Sequence, residues 1–447
     1  MAVVHHTGVL IHIAHCLRST KDVLSLLQAL PRHALDAPLA ALLTLLTTPE
    51  TLRVVERSWP WASIEEYGHD DIATVFAALP IFRSVQINCL HAFWAASEPH
   101  RPATWGHEVE FIPSDGSISR NRNVSALLRL LRLCPNLHAI VVHIDRSDPA
   151  LTASILQAAQ HVKRIHFVTP DQTEYNCGNW RPLFAEWLAS GHATHLGIIG
   201  LTCDDNVGFA RAIAAATSLT SLQLAVASGV LQGLVDVATP LKAITKLRLA
   251  APNDSMSLEP FVTNLIDLSA LQVFDLSSDN ELDLTFGLAL LPRLGKLKEL
   301  ELTHCNLRAV PALPEAPAHL RLLDVSYSSM NDETCLGLLH WASQSPCLDT
   351  IWLKMCDTVS RKPVLFASYL RRWITGSVTF VALDRCELDE KSVIAIATAL
   401  CDACRSSSTF SLRLDFGTLD VDAYDALFEA LATCNGVKIE VIIVYSP

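Results

Sequence analysis

The chain has 447 residues, half of them hydrophobic, and its 34 Lys and Arg against 46 Asp and Glu give a formal charge of −12. That balance disfavours general nucleic-acid binding, which draws on a basic footprint to release counterions. No apolar run reaches the roughly 18 residues that a transmembrane helix needs, and thirteen cysteines, an odd number scattered along the chain, do not suggest a disulfide framework.

Met1 to Cys16 carries His5 and His6 where a signal peptide would hold Lys or Arg, and shows no clear cleavage site. A reduced, intracellular setting, cytoplasmic or nuclear, is expected. There the glycosylation sequons at Asn123 and Asn253 carry no meaning. His12 and His15 share a helical face but make no convergent set of metal ligands, and no metal or cofactor is expected.

From Val9 to about Leu46 the pattern is helical. Val9, Leu10, Ile13, Ala14 and Leu17 form one apolar stripe. Arg18 to Asp22 reads as a polar turn, Asp22 to Leu30 as a second helix closed by Pro31, and Leu39 to Leu46 as a third opened by Asp36 and Pro38. Residues 1–60 therefore read as a small all-α segment. Leu10, Ile13, Leu17, Asp22, Val23, Leu24 and Leu27 are set against the apolar–x-x-Ile–x-x-x-Leu and Asp-Leu-Leu-x-Leu positions of a motif, and the segment resembles the F-box family. That resemblance implies docking to the adaptor of a cullin–RING ubiquitin ligase through those residues. Thr7-Gly8 stands where the family has Leu-Pro, and Ala29 to Arg32 offers no closing tryptophan. The other reading of these helices is a cap over the open end of a repeat array.

Residues 75–447 follow another rule. Leu297-x-x-Leu300-x-Leu302-x-x-Cys305-x-Leu307 recurs from Leu271, Leu320, Leu348 and Val378. Weaker versions place pattern starts at Phe82, Gly106, Leu137, Val162, Ala193, Leu219, Ile244, Thr409 and Gly436. The intervals run from 23 to 31 residues. This periodicity resembles the leucine-rich repeat family, in its ribonuclease-inhibitor and cysteine-containing subclasses. The implied fold is an α/β solenoid with a curved parallel sheet on the concave side and helices on the convex side. One repeat cannot bury its apolar edge alone, so the strand leucines pack against those of both neighbours. Cys305, Cys356, Cys386, Asp279 and Ser328 are expected to turn inward as ladder residues. Between strands, Asp204 to Ala216, Asn331 to Ala342 and Asp389 to Leu400 read as helices with polar caps. Val310 to Pro317, rich in proline, cannot hold a regular helix.

Catalytic chemistry is thin. Cys401-x-x-Cys404 has no second ligand pair for zinc. No phosphate loop, G-x-S-x-G elbow or H-E-x-x-H occurs, and no enzyme is expected. The outward strand slots are the candidate binding surface. Their central row runs Gln223, Arg248, Asp275, Glu301, Asp324, Trp352, Ala382, Arg413, flanked by Lys246, Lys298, His304, Tyr327, Lys354, Asp384 and Arg385. A protein partner is expected there, with Arg248, Asp275, Glu301, Asp324, Tyr327, Trp352, Lys354 and Arg413 as contacts. Trp352 would be an apolar anchor for the partner, or else would lie flat on Tyr327 or Met355 as ordinary surface packing, and the three carboxylates would face a basic segment or serve solubility alone. The whole then reads as a substrate-recruiting ligase subunit, or else as a stand-alone repeat scaffold.

Overall fold

The computed structural model describes residues 9, 10, 13, 14, 16, 17, 19–63, 67, 71–78, 81, 82, 84–87, 108–111, 139–143, 149–169, 174–178, 180–251, 258–278, 282–308, 313, 315–403, 410–415, 425, 427, 429 and 439–444. It forms two compact units, Met1–Leu219 and Thr220–Pro447. His5, His6, His12, His15, Asp279, Cys404 and both sequons lie outside the described residues, as do Val310 to Ala312 and Pro314.

The first unit opens with helices. Residues 9, 10, 13, 14 and 16 are helical. They are followed by α1 (Thr20–Ala29), α2 (Ala37–Thr47) and α3 (Pro49–Ser58). Side chains start two of them: Ser19 accepts from the Lys21 amide and Asp36 from the Leu39 amide. Pro31 cannot continue α1, and Pro38 fits the first turn of α2, whose donors have no helical partners anyway. Leu39, Leu42, Leu45 and Leu46 of α2 are fully buried, and α2 packs against α1, α3 and α4 (Ile72–Ala78). Helix α3 lies beyond the three helices that the sequence pattern outlines: Pro49–Ser58 is mostly polar, and only its narrow face of Thr51, Val54 and Val55 is buried.

Strand β1 (Trp61–Ser63) comes one pattern earlier than expected and pairs in parallel with β2 (Ser84–Ile87), which pairs with β3 (Glu108–Phe111). A second parallel set joins β4 (Ala139–His143), β5 (Arg164–Val168) and β7 (His195–Ile199). The pairings Ser84↔Glu108 and Arg164↔His195 hold even the weak starts at Gly106 and Ala193 in phase. A short accessory ladder joins β6 (Tyr175–Asn176) to β8 (Leu201–Thr202).

The second unit holds nine parallel strands in chain order among the described residues. They are β9 (Ser221–Ala225), β10 (Lys246–Ala251), β11 (Val273–Ser278), β12 (Glu299–Thr303), β14 (Leu322–Asp324), β16 (Thr350–Trp352), β17 (Phe380–Ala382), β18 (Phe410–Asp415) and β19 (Ile439–Val444). A two-residue ladder, β13 (Asn306–Leu307) with β15 (Ser329–Met330), follows two of them. Two of the helices between the strands start where a polar side chain accepts from a first-turn amide. Asn331 caps Asp332–Ala342 through the Thr334 amide, and Asp389 caps Glu390–Asp402 through the Ser392 amide. Leu297, Leu300 and Leu302 are fully buried. A side chain at Gly287, on the helix before β12, would meet the Leu276 and Leu302 methyls, so helical backbone lies directly on the leucine face.

The ladder residues turn inward as expected. Cys305 Sγ reaches Leu276 O at 3.2 Å, Ser328 Oγ donates to Leu302 O at 2.7 Å, and Cys386 Sγ reaches Leu353 O at 2.8 Å. Burial pushes the Cys305 thiol up to about 12 and also raises that of Cys386, so neither is a thiolate nucleophile near neutral pH.

Two expectations need correction. Ser411 pairs with Glu440, where a start at Gly436 would have put Lys438 opposite, so the last pattern begins two residues later. A two-residue slip keeps every side chain on the same face, and the hydrophobic pattern alone cannot detect it. Cys401 is disulfide-bonded, so the expectation of a fully reduced chain fails at that residue.

Candidate protein-binding face

Parallel pairing fixes the outward row residue by residue. Gln223 stands opposite Arg248, Arg248 opposite Asp275, Asp275 opposite Glu301, and Glu301 opposite Asp324. Asp324 then faces Trp352, Trp352 faces Ala382, and Ala382 faces Arg413. Neighbouring strands lie about 4.8 Å apart, so three carboxylates from three successive strands form one short acidic line.

A cation from the same face partly answers that line. Arg248 Nε lies 4.0 Å from Asp275 Oδ2, and its Nη2 lies 3.5 Å from Glu301 Oε1. The Arg248 side chain is 43 % exposed, whereas the Asp275 and Glu301 side chains are 18 % and 23 % exposed. Desolvation outweighs Arg248 at both acids. Burial, and then the Glu301 charge, push Asp275 up to about 7 despite Arg248. Burial raises Glu301 against Arg248, and it raises Asp324 although that carboxylate accepts the Ser326 amide at 2.8 Å. The line is thus an electrostatic liability to the folded chain, stacked and partly desolvated.

Trp352 is half-buried, and its ring partner is Phe380 rather than Tyr327. Its ring meets Phe380 at 5.0 Å between centroids with the planes tilted by 49°, and Lys354 Nζ sits 4.7 Å over the ring. Phe380 was missed because the pattern assigned it only a flanking slot one strand away. Lys354 and Arg413 both address Asp384, at 4.0 Å and 3.1 Å, and that carboxylate is only 7 % exposed. Ala382, in the central row, is fully buried and offers no contact surface.

Tyr327 instead stacks flat on His304, centroids 4.6 Å apart and planes within 7°. Both belong to a series. Val226, His304, Tyr327, Met355 and Arg385 all adopt positive φ, between 47° and 58°, and each immediately precedes the ladder slot of its repeat. A non-glycine residue there is strained by roughly 1–2 kcal/mol. Nothing in residue type announces the series, since none is Gly or Asn. His304, Tyr327 and Met355, with Ser329, Asp357 and Arg361, line an open cavity of about 420 Å³ at the strand ends.

At the N-terminus the seven F-box-like positions divide. Ile13 is 40 % exposed, and Val9, beside them on the stripe, 57 %. Leu10, Leu17 and Leu24 are half-buried and Asp22 is exposed, whereas Val23 and Leu27 lie fully inside. Trp59 ties the first turns down: its Nε1 donates to Leu17 O at 3.2 Å, and its ring meets Phe82 edge-on at 5.8 Å.

Among the described residues no group of three His, Cys, Asp or Glu is placed to hold a metal ion, and no helix is long and apolar enough to cross a membrane. No family model matches the chain, and no curated protein matches it.

Proposed function

We propose that this chain is a non-catalytic protein-binding module of leucine-rich repeat type, whose outward strand face takes a Lys- or Arg-rich segment of its partner. The observation that carries the reading is the acidic line Asp275–Glu301–Asp324. Burial disfavours the ionised form of all three in-register carboxylates, and the single Arg248 charge beside two of them does not offset it. A basic ligand supplies the missing counter-charge, with the Trp352–Phe380 pair as apolar anchor beside it. A Lys/Arg-rich peptide titrated into the full chain tests this. Affinity is expected to fall with added salt and to be lost in Glu301→Lys. Salt-independent binding, or unchanged binding by Glu301→Lys, overturns it.

Together with the F-box-like helices, this face suits the substrate-recruiting subunit of a cullin–RING ubiquitin ligase, with Val9, Leu10, Ile13, Leu17 and Leu24 available to the adaptor. A second reading rests on the inward Val23 and Leu27 and on Trp59 holding Leu17. In that reading the N-terminal helices only cap the repeats of their own unit, and the protein is a stand-alone scaffold.

A further inference from the structure

The accessory ladder of the first unit brings two cysteines together. Asn176 pairs with Thr202 at the ends of β6 and β8, and the next residues on each strand are Cys177 and Cys203. Backbone bonds pin both sides of the pair: the Cys177 amide donates to Thr202 O at 2.9 Å, and the Asp204 amide to Gly178 O at 3.2 Å. Side chains pin it further. The Cys203 amide donates to Asn206 Oδ1 at 3.0 Å, and Asn176 Nδ2 donates to Asp204 Oδ1 at 2.8 Å. The two sulfurs lie 3.1 Å apart with both residues buried.

Parallel neighbours stand about 4.8 Å apart between strands, inside the roughly 4.4–6.8 Å Cα spacing that a disulfide spans. The sulfurs therefore need only a small χ1 adjustment to bond, with no movement of the ladder. A second close pair of free thiols among the described residues, Cys335 with Cys356, is set at 3.5 Å and joins a helix to a ladder slot, where no shared strand register holds the two backbones together.

We propose that Cys177 and Cys203 are a dithiol modification site that closes to an intramolecular disulfide by exchange with a low-molecular-weight disulfide. One cysteine, as thiolate, attacks a sulfur of the small disulfide, and the first small thiolate leaves. The second cysteine, as thiolate, then attacks the mixed disulfide and expels the other. The protein loses two electrons and two protons, and the small disulfide becomes two thiols. Both sulfurs are buried, so the first attack waits on a local opening of the two-residue ladder, the kind of short element that opens before a sheet does.

Glutathione disulfide incubated with the full chain, followed by alkylation under denaturing conditions and peptide mapping without reductant, reads the outcome. The expected result is one new cross-linked peptide containing Cys177 and Cys203, absent before oxidation, with neither of these two thiols alkylated, and full reversal of that link by dithiothreitol. The link should persist in Cys335→Ala and vanish in Cys203→Ala. The oxidised form should also melt at higher temperature, since the bond closes a loop across 26 residues of sequence separation. Because the map is made on the unsubstituted chain, a poorly folding variant does not blur the reading. Full alkylation of both cysteines after oxidation overturns the proposal. So does a stable glutathione adduct on either of them, or a link found only between Cys335 and Cys356.

Discussion

Arg248 reaches past its nearest strand neighbour: its Nη2 comes to 3.5 Å from Glu301 Oε1, closer than its Nε comes to Asp275 Oδ2 at 4.0 Å. One guanidinium thus spans two rungs of the sheet and addresses two acids. A single positive charge does not offset the burial of both, and the consequences are measurable.

The first concerns pH. Asp275 rises from 3.8 to about 7 in the folded chain. Below pH 3.8 folded and unfolded chains both hold this proton, and the group contributes nothing. Between 3.8 and about 7 the unfolded chain has released it and the folded chain has not, so unfolding free energy falls as pH rises. Above 7 the penalty is complete, roughly 4 kcal/mol at the 1.36 kcal/mol of each pKa unit. Asp275→Asn should flatten this part of the stability–pH curve and melt higher than the unsubstituted chain at pH 8. Urea unfolding at a series of pH values checks it. A variant with the same slope as the parent would show that Asp275 ionises normally.

The second concerns the leucine face. Leu300 is fully buried between strands that carry Phe274 and Leu323 at the same register. Leu300→Ala removes apolar contact and leaves a cavity, a loss of roughly 2–5 kcal/mol. A fall in urea midpoint with unchanged slope is the expected result, and a change under about 1 kcal/mol would be too small for a core leucine.

Much of this face was legible in the sequence, and the reason is geometric. Strand period and repeat period together determine which residues share a rung, so the row from Gln223 to Arg413 could be written down from the spacing of leucines alone. The row's energetics could not. Whether Asp275 is wet or dry depends on side chains from neighbouring strands, and no one-dimensional pattern contains that. The ring partner of Trp352 was misplaced for the same reason: Phe380 lies one rung away and one slot off the central row. Helix α3 is hard to see because its apolar face is narrow, Val54 and Val55 with Thr51, in an otherwise polar segment that packs on α2. The left-handed row from Val226 to Arg385 escaped because residues that tolerate αL poorly occupy it.

The third prediction isolates the Trp352–Phe380 contact. Trp352→Ala and Phe380→Ala should each destabilise the chain. The double variant should lose less than the sum, with a coupling of roughly 0.5–1.5 kcal/mol beyond buried area. Strict additivity would mean that the two rings are neighbours without interaction. This cycle also separates stability from binding, which matters because Trp352→Ala alone disturbs both. Glu301→Lys touches no ring and is the cleaner probe of the acidic line.

The last prediction decides between the two readings of the N-terminus. Deleting residues 1–60 would remove α1 to α3 and strip α4, with its buried Val75 and Ala78, of the α2 face it packs against, so a lost interaction would report unfolding as readily as docking. A point substitution on the exposed stripe avoids that. Ile13 is 40 % exposed, and an aspartate there remains solvated, so the melting temperature should change by no more than a degree or two, as for an ordinary surface substitution. If the stripe of Val9 and Ile13 docks on the ligase adaptor, Ile13→Asp abolishes co-purification with it while leaving the basic-peptide affinity of the other unit intact. Val23→Asp serves as the opposite control, because its side chain is fully buried and the substitution should unfold the helical segment. Adaptor binding that survives Ile13→Asp, or no adaptor binding by the unsubstituted chain, removes the ligase reading. The N-terminal helices are then a cap, and the acidic face stands as the function of a scaffold.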